Sequence, residues 1–263
     1  MMKSTTNTSI NNEVKQQVSA EEWALRVDLA AAYRLVATYG WDDLIYTHIS
    51  ARVPGTEDEF LINPFGLMFD EVTASSLIKI NGNGEKVMPT PYPVNPAGFT
   101  IHSAVHQVRH DAGCVIHLHT VHGTAVSTDP RGLLPLNQTA LLVRDDVAYH
   151  DFEGVAVDLD ERPRLQKDLG DKNIMLLRNH GTLSLGATVA EAFMRIYFIE
   201  RACEMQVATL SSTGGTYYPT DENVQEKVAE QGRDEEMVKQ GANMLAWPAL
   251  RRRLDRIDSS YQD

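Results

Sequence analysis

The run Cys114-Val115-Ile116-His117-Leu118-His119 constrains this chain more than any other segment of comparable length. Asp111-Ala112-Gly113 breaks whatever precedes it, and the apolar run then reads as a buried strand with two imidazoles at its end. Side chains alternate along a strand, so His117 and His119 point to the same face. A second apolar stretch, Asn173 to Leu177, runs into Arg178-Asn179-His180-Gly181, where glycine lets the chain turn tightly. If the two strands are neighbours, His117, His119 and His180 converge. Three protein nitrogens leave coordination positions free for water or substrate, which is the arrangement of a catalytic metal site rather than a structural one. Imidazole suits Zn²⁺, Fe²⁺, Mn²⁺ or Co²⁺, so ligand type alone does not select the metal. The competing reading of His-x-His at a strand end is a polar rim with no ion.

Around these strands the pattern alternates. Ser19 and Glu22 have the spacing of a capping box, and a helix follows from Glu21 to about Tyr39, closed by Gly40. Short strand patterns run from Leu44 to Val53, from Phe60 to Ile62 and through Ile78 and Ile80, the last leading into the hairpin signal Asn81-Gly82-Asn83-Gly84. Asn63-Pro64-Phe65-Gly66 has proline and glycine where a type I turn wants them. A helix is expected from Ala97 to Arg109, with Ile101, Ala104, Val105 and Val108 on one face. Weaker strands are expected over Asp146 to Tyr149 and Gly154 to Val157, and a helix over Arg162 to Leu169. A short strand through Thr182 to Gly186 precedes a second capping box, Thr188 and Glu191, and a long helix to about Thr209. Strands alternating with helices imply an α/β sandwich, a sheet covered by helices on both faces. The expected organisation is a disordered tail over residues 1–18, a domain over 19–215 and a helical extension over 216–263.

Composition excludes some partners. A formal net charge of −12 repels phosphate backbones and anionic lipid, and no apolar run approaches the roughly 20 residues of a membrane span. Nucleic acid and membrane are therefore not expected as partners. The first residues lack the apolar stretch of a signal peptide, and Cys114 and Cys203 lie in apolar contexts that suit free thiols. The chain is expected in the cytoplasm.

Of the other histidines, His102, His106 and His110 sit four apart and share a helical face; the expectation is a flank beside the apolar stripe rather than a second metal ladder. His48, His122 and His150 read as isolated polar positions. No nucleophile elbow, dinucleotide fingerprint or phosphate-binding loop occurs.

The run from Cys114 to Thr120, then Leu176-Leu177-Arg178-Asn179-His180-Gly181, resembles the class II aldolase/adducin family. Tyr46-Thr47-His48-Ile49-Ser50-Ala51-Arg52, Ile62-Asn63-Pro64-Phe65-Gly66 and Val94-Asn95-Pro96-Ala97-Gly98-Phe99-Thr100 look especially like the adducin head. The resemblance implies a three-layer αβα sandwich with a largely antiparallel or mixed central sheet, a divalent metal, a small-molecule substrate and a homotetramer. It places the metal on His117, His119 and His180, and the substrate along Asn63 to Gly66. Departures follow from the same alignment. The two serines and the metal-binding glutamate of the sugar-phosphate aldolases fall on Pro96, Ala97 and Gly98. Their proton-donating tyrosine falls on Thr139, and their phosphate-binding asparagine on His48.

The resemblance therefore implies a metal-dependent lyase acting through an enolate of a non-phosphorylated carbonyl compound. His48 is the candidate acid–base group, and Asn63, Gly66 and Gly98 lie at the substrate. A glutamate restored at position 98 is expected to tighten metal binding if the pocket has room. Two alternatives stand beside this: a non-haem iron oxygenase or decarboxylase, and a non-catalytic interaction module of the adducin-head type.

Overall fold

The computed structural model describes residues 13–155 and 159–263. The tail expected over 1–18 lies outside the described residues as far as residue 12, and residues 13–17 are helical. From there the chain forms α1 (Ala20–Tyr39), β1 (His48–Arg52), β2 (Glu59–Ile62), β3 (Ile78–Asn81), α2 (Pro96–Val108), β4 (Cys114–Leu118), α3 (Val121–Thr128), α4 (Gln138–Val143) and β5 (Val147–His150). It continues with α5 (Arg162–Leu169), β6 (Ile174–Leu177), β7 (Gly181–Gly186), α6 (Val189–Thr213), α7 (Glu222–Gly232), α8 (Glu235–Gln240) and α9 (Trp247–Ile257). A π-helical stretch, Gly241–Ala246, joins the last two helices.

The strands form one seven-stranded sheet in the order β3-β2-β1-β4-β7-β6-β5. Every pairing is antiparallel except β5 with β6. Alternation along the strands sends side chains into two layers. Ile49 and Ala51, Cys114 with Ile116 and Leu118, and Ile174 with Leu176 join the larger core, with Leu29 and Tyr33 of α1 and Phe193, Ile196 and Ile199 of α6. Val115, Met175, Leu177, Leu183 and Leu185 face the other way, against Ile101, Ala104 and Val105 of α2 and Leu165 and Leu169 of α5. The result is the three-layer αβα sandwich. Trp247 and Leu254 of α9, with Tyr261, belong to the larger core.

Both capping boxes form by half. The Ser19 hydroxyl accepts from Glu22 N–H at 3.1 Å, but the Glu22 carboxylate turns to Arg26 at 2.9 Å and Lys79 at 3.0 Å. Arg26 is buried and also donates to the carbonyls of Ala74 and Leu77. A buried guanidinium needs that full set of acceptors, and supplying it takes the carboxylate away from the helix end. Thr188 caps α6 in the same one-sided way, its Glu191 accepting from Ala187 N–H and Asn243.

Other local expectations shift. The turn at 63–66 sits one residue later, closed by Leu67 N–H on the Pro64 carbonyl. The buried face of α2 is also rotated from the expected one: Val108 is 47% exposed, while His102 and His106 are buried. Residues 154–155 form a bend, and the rest of the strand expected at 154–157 lies outside the described residues.

Candidate metal centre

The start of β1, the end of β4, the end of β6 and the start of β7 meet at one edge of the sheet, and the pairings His48↔His117, Leu118↔Thr182 and Leu177↔Gly181 set their levels. His117 is buried on the α2 side, His119 follows one pleat later, and His180 ends the turn from β6 to β7. The ligand nitrogens of His117, His119 and His180 lie within 4.8 Å of one another. Gly181 permits the approach: a Cβ there would meet the Leu118 carbonyl oxygen at 2.4 Å and the His119 ring at 3.2 Å.

The hydrogen bonds behind these rings say which nitrogens are free. His117 Nδ1 donates to the Thr182 carbonyl at 3.0 Å, and His119 Nδ1 donates to the Asp43 carboxylate at 3.0 Å. In the neutral rings each Nε2 is then a bare lone pair, yet the two Nε2 atoms face each other at 3.0 Å. Two lone pairs aimed at one another repel unless a cation lies between them. Nitrogens bound to one Zn²⁺ at about 2.0–2.1 Å stand roughly 3.0–3.4 Å apart in ordinary geometries, so the pair fits an ion. Carbonyl and carboxylate partners behind ligating imidazoles are the usual outer support of such sites. Burial, with the neighbouring His119 and His150, lowers His180 to about 4. Burial, then His180 and His48, pushes His117 well below its ordinary range. These rings stay neutral and able to ligate.

His48 stands beside the triad, its ring 5.0 Å from that of His117. Burial holds it, too, well below the usual histidine range. Its Nδ1 bonds His102 Nε2 at 2.8 Å. Gly98 lies directly against it: a Cβ on Gly98 would sit 2.8 Å from His48 Cδ2. The imidazole fills the space a side chain at 98 would need, so the room on which tighter metal binding by a glutamate at 98 depends is already taken. Gly98→Glu should displace His48 and lower the unfolding midpoint in urea; an unchanged midpoint would show that the pocket yields.

Asn63 is fully buried, with its Oδ1 3.0 Å from the Tyr33 hydroxyl, which also bonds the backbone of Ile49. Its side chain ties the end of β2 to α1. Gly66 is exposed in the loop that follows. Among the described residues, three that are not glycine adopt left-handed backbone angles, Leu44 (φ 51°), Thr47 (φ 61°) and Asn179 (φ 57°). They adjoin Asp43, His48 and His180 respectively. Such strain costs of order 1–3 kcal/mol per residue and gathers at functional sites.

Asp43, Thr182 and Ser50 have no role in the sequence reading, and His102 and His106 are expected there only as a flank. Asp43 and Thr182 have no spacing that ties them to the triad. The histidines of α2 lie under the helix, not on a flank. Ser50 Oγ contacts His102 Nδ1 at 2.5 Å and His106 Nε2 at 2.8 Å, while His106 stacks on Phe60 at 4.4 Å. His122 bonds Glu200 at 3.2 Å, and His150 lies between Asp168 at 2.7 Å and Glu161 at 3.3 Å.

Burial, with the charge of Arg52, takes His106 from its ordinary 6.5 down to about 3. The folded pKa is below the unfolded one, so this contribution to stability is complete above 6.5 and is lost as pH falls towards 3. At pH 5 the loss is about 2 kcal/mol for one such imidazole. Urea midpoints at pH 7.5 and pH 5 should therefore differ less in His106→Gln than in the wild type; equal differences would refute a neutral, buried His106.

Comparison with known proteins identifies the family. Residues 27–207 match the family model of the class II aldolase and adducin N-terminal domain. A Pseudomonas aeruginosa protein provisionally named an aldolase class 2 protein is 51% identical over 259 residues, covering 97% of this chain and 98% of its own. Mouse alpha-adducin is 51% identical over 197 residues, 74% of this chain but 27% of adducin. The solved L-fuculose 1-phosphate aldolase of Glaciozyma antarctica superposes with a TM-score of 0.80 at 28% identity, covering 93% of this chain and 94% of that one. The chain belongs to the class II aldolase/adducin family.

Proposed function

We propose that this protein is a metal-dependent lyase that makes or breaks a carbon–carbon bond beside the carbonyl of a small, non-phosphorylated substrate. The observation that carries the reading is the facing pair of bare Nε2 atoms on His117 and His119, 3.0 Å apart, with His180 closing the triangle. A divalent ion held there, Zn²⁺ first, supplies Lewis-acid polarisation of the carbonyl oxygen. Asp43 and Thr182 keep the ligating rings in the right tautomer and orientation. His48 is the group that moves a proton at the substrate, through its Nε2, and it stands in the space a side chain at position 98 would take.

The absence of phosphate chemistry rests on residue types. Histidine at 48 and Pro96-Ala97-Gly98 provide no hydroxyl or amide side chain for a phosphate. The purified protein should carry one metal per chain, and His117→Ala/His119→Ala should carry none while keeping its circular dichroism; a folded double variant with full metal would sink the site. With Zn²⁺ supplied, fuculose- and ribulose-type phosphates should turn over poorly, and a panel of keto acids and aldehydes should contain a better substrate. On that substrate His48→Asn should lower kcat by roughly 10²–10⁴, the usual contribution of general acid–base catalysis, with metal content unchanged. Efficient cleavage of the sugar phosphates would overturn the substrate class.

The likeness to alpha-adducin favours a second reading, a binding module without catalysis. Absence of turnover across the panel by fully metal-loaded protein would select it.

A further inference from the structure

Between β1 and α2, three further buried polar side chains, Ser50, His102 and His106, stand behind His48. His48, Ser50, His102 and His106 are each no more than 3% exposed. They are joined end to end: His48 Nδ1 to His102 Nε2 at 2.8 Å, His102 Nδ1 to Ser50 Oγ at 2.5 Å, and Ser50 Oγ to His106 Nε2 at 2.8 Å. Residues 48 and 50 share one face of β1, and residues 102 and 106 are one turn apart on α2. The chain therefore runs along the helix–sheet seam, away from the triad. Its far end, His106 Nδ1, is buried and forms no hydrogen bond of ordinary geometry, the Ala112 backbone being the polar group beside it.

We propose that Ser50, His102 and His106 are positioning residues that fix which ring nitrogen of His48 carries the proton, with all three imidazoles of the chain held in one common tautomer. The reasoning is a count of protons. A neutral imidazole carries one N–H and serine one O–H. Three rings and one hydroxyl thus hold four protons, and three links use three of them. The fourth lies at one end or the other. If it is on His106 Nδ1, then Ser50 donates to His106, His102 Nδ1 donates to Ser50 and His48 Nδ1 donates to His102. All three rings are then Nδ1–H, and His48 Nε2 is bare. If it is on His48 Nε2, every link reverses and all three rings are Nε2–H. The remaining arrangement has both His102 and His106 donating to Ser50 Oγ, which leaves the serine's own buried hydroxyl proton without an acceptor. His48 Nε2 can therefore change from acceptor to donor only if the whole chain reverses. The chain replaces the hydrogen-bond control that a fixed carboxylate would exert, in a pocket where Gly98 leaves room for His48 alone.

This inference rests on the reading of His48 as the proton-moving group, but its test does not need turnover. Long-range proton–nitrogen correlation spectra of the ¹⁵N-labelled full chain, near neutral pH and with and without Zn²⁺, report the tautomer of each ring. His48, His102 and His106 should be all Nδ1–H or all Nε2–H in each sample. A mixture among the three overturns the proposal, and this arm needs no variant. Ser50→Ala should release His106 from the common tautomer and leave His110 and His122 unchanged, while Ser50→Thr, which keeps a hydroxyl, should restore it. Identical spectra for Ser50→Ala and the wild type overturn it as well. A common tautomer together with turnover indifferent to His48→Asn would defeat the catalytic reading of His48 and leave the chain itself standing.

Discussion

The register of β4 between β1 and β7 is the constraint on which the site depends. His48 lies opposite His117 on one side of the strand, and Leu118 lies opposite Thr182 on the other. A slip of one residue turns every side chain of a strand to the other face. His117 would then enter the larger core against the side chains of α1 and α6, and Ile116 and Leu118 would face α2. The apolar alternation of the strand forbids that slip, because it would exchange buried aliphatic groups for an unpaired imidazole. The same alternation that builds the core thus places His117 and His119 on one face, and the candidate metal site needs little specification of its own.

This is why so much could be read from the chain. The strand pattern around residues 114–119 and the turn after Leu177 carry local signals, so the triad and the αβα order were legible. What failed to appear depends on pairing across long stretches of sequence. His102 and His106 looked like a polar flank, since a histidine under a helix is unfavourable unless the facing strand provides partners. Ser50 and His48 provide them from more than fifty positions away, and no periodicity announces that. Asp43 meets His119 across 76 positions. Glu22 shows the reverse error: its spacing from Ser19 promised a capping box, but a buried Arg26 claimed the carboxylate.

Strain and polarity gather at the same edge of the sheet. Leu44, Thr47 and Asn179 hold left-handed angles next to Asp43, His48 and His180, and the hydroxyls of Thr47 and Thr182 are buried without partners. None of these features helps the fold. The aliphatic layers on both sides of the sheet outweigh them and hold the edge in place.

The exchange of a carboxylate for an imidazole has a consequence for charge. Gly98 brings no carboxylate to the triad, and the ring beside His117 is that of His48, which burial keeps well below its ordinary range. The Asp43 carboxylate bonds His119 at Nδ1, the ring nitrogen opposite the one that faces His117. A divalent ion bound by three neutral nitrogens keeps its full formal charge, whereas a coordinating carboxylate would remove one unit of it. Such a centre attracts an anionic oxygen more strongly and gives up a proton to the protein less readily, because no carboxylate waits to receive it. Under the function proposed above the proton leaves by His48, whose Nδ1 is tied to His102 and, through it, to Ser50 and His106. On that reading, control of the proton would pass from one carboxylate at the ion to a chain running along the seam between β1 and α2.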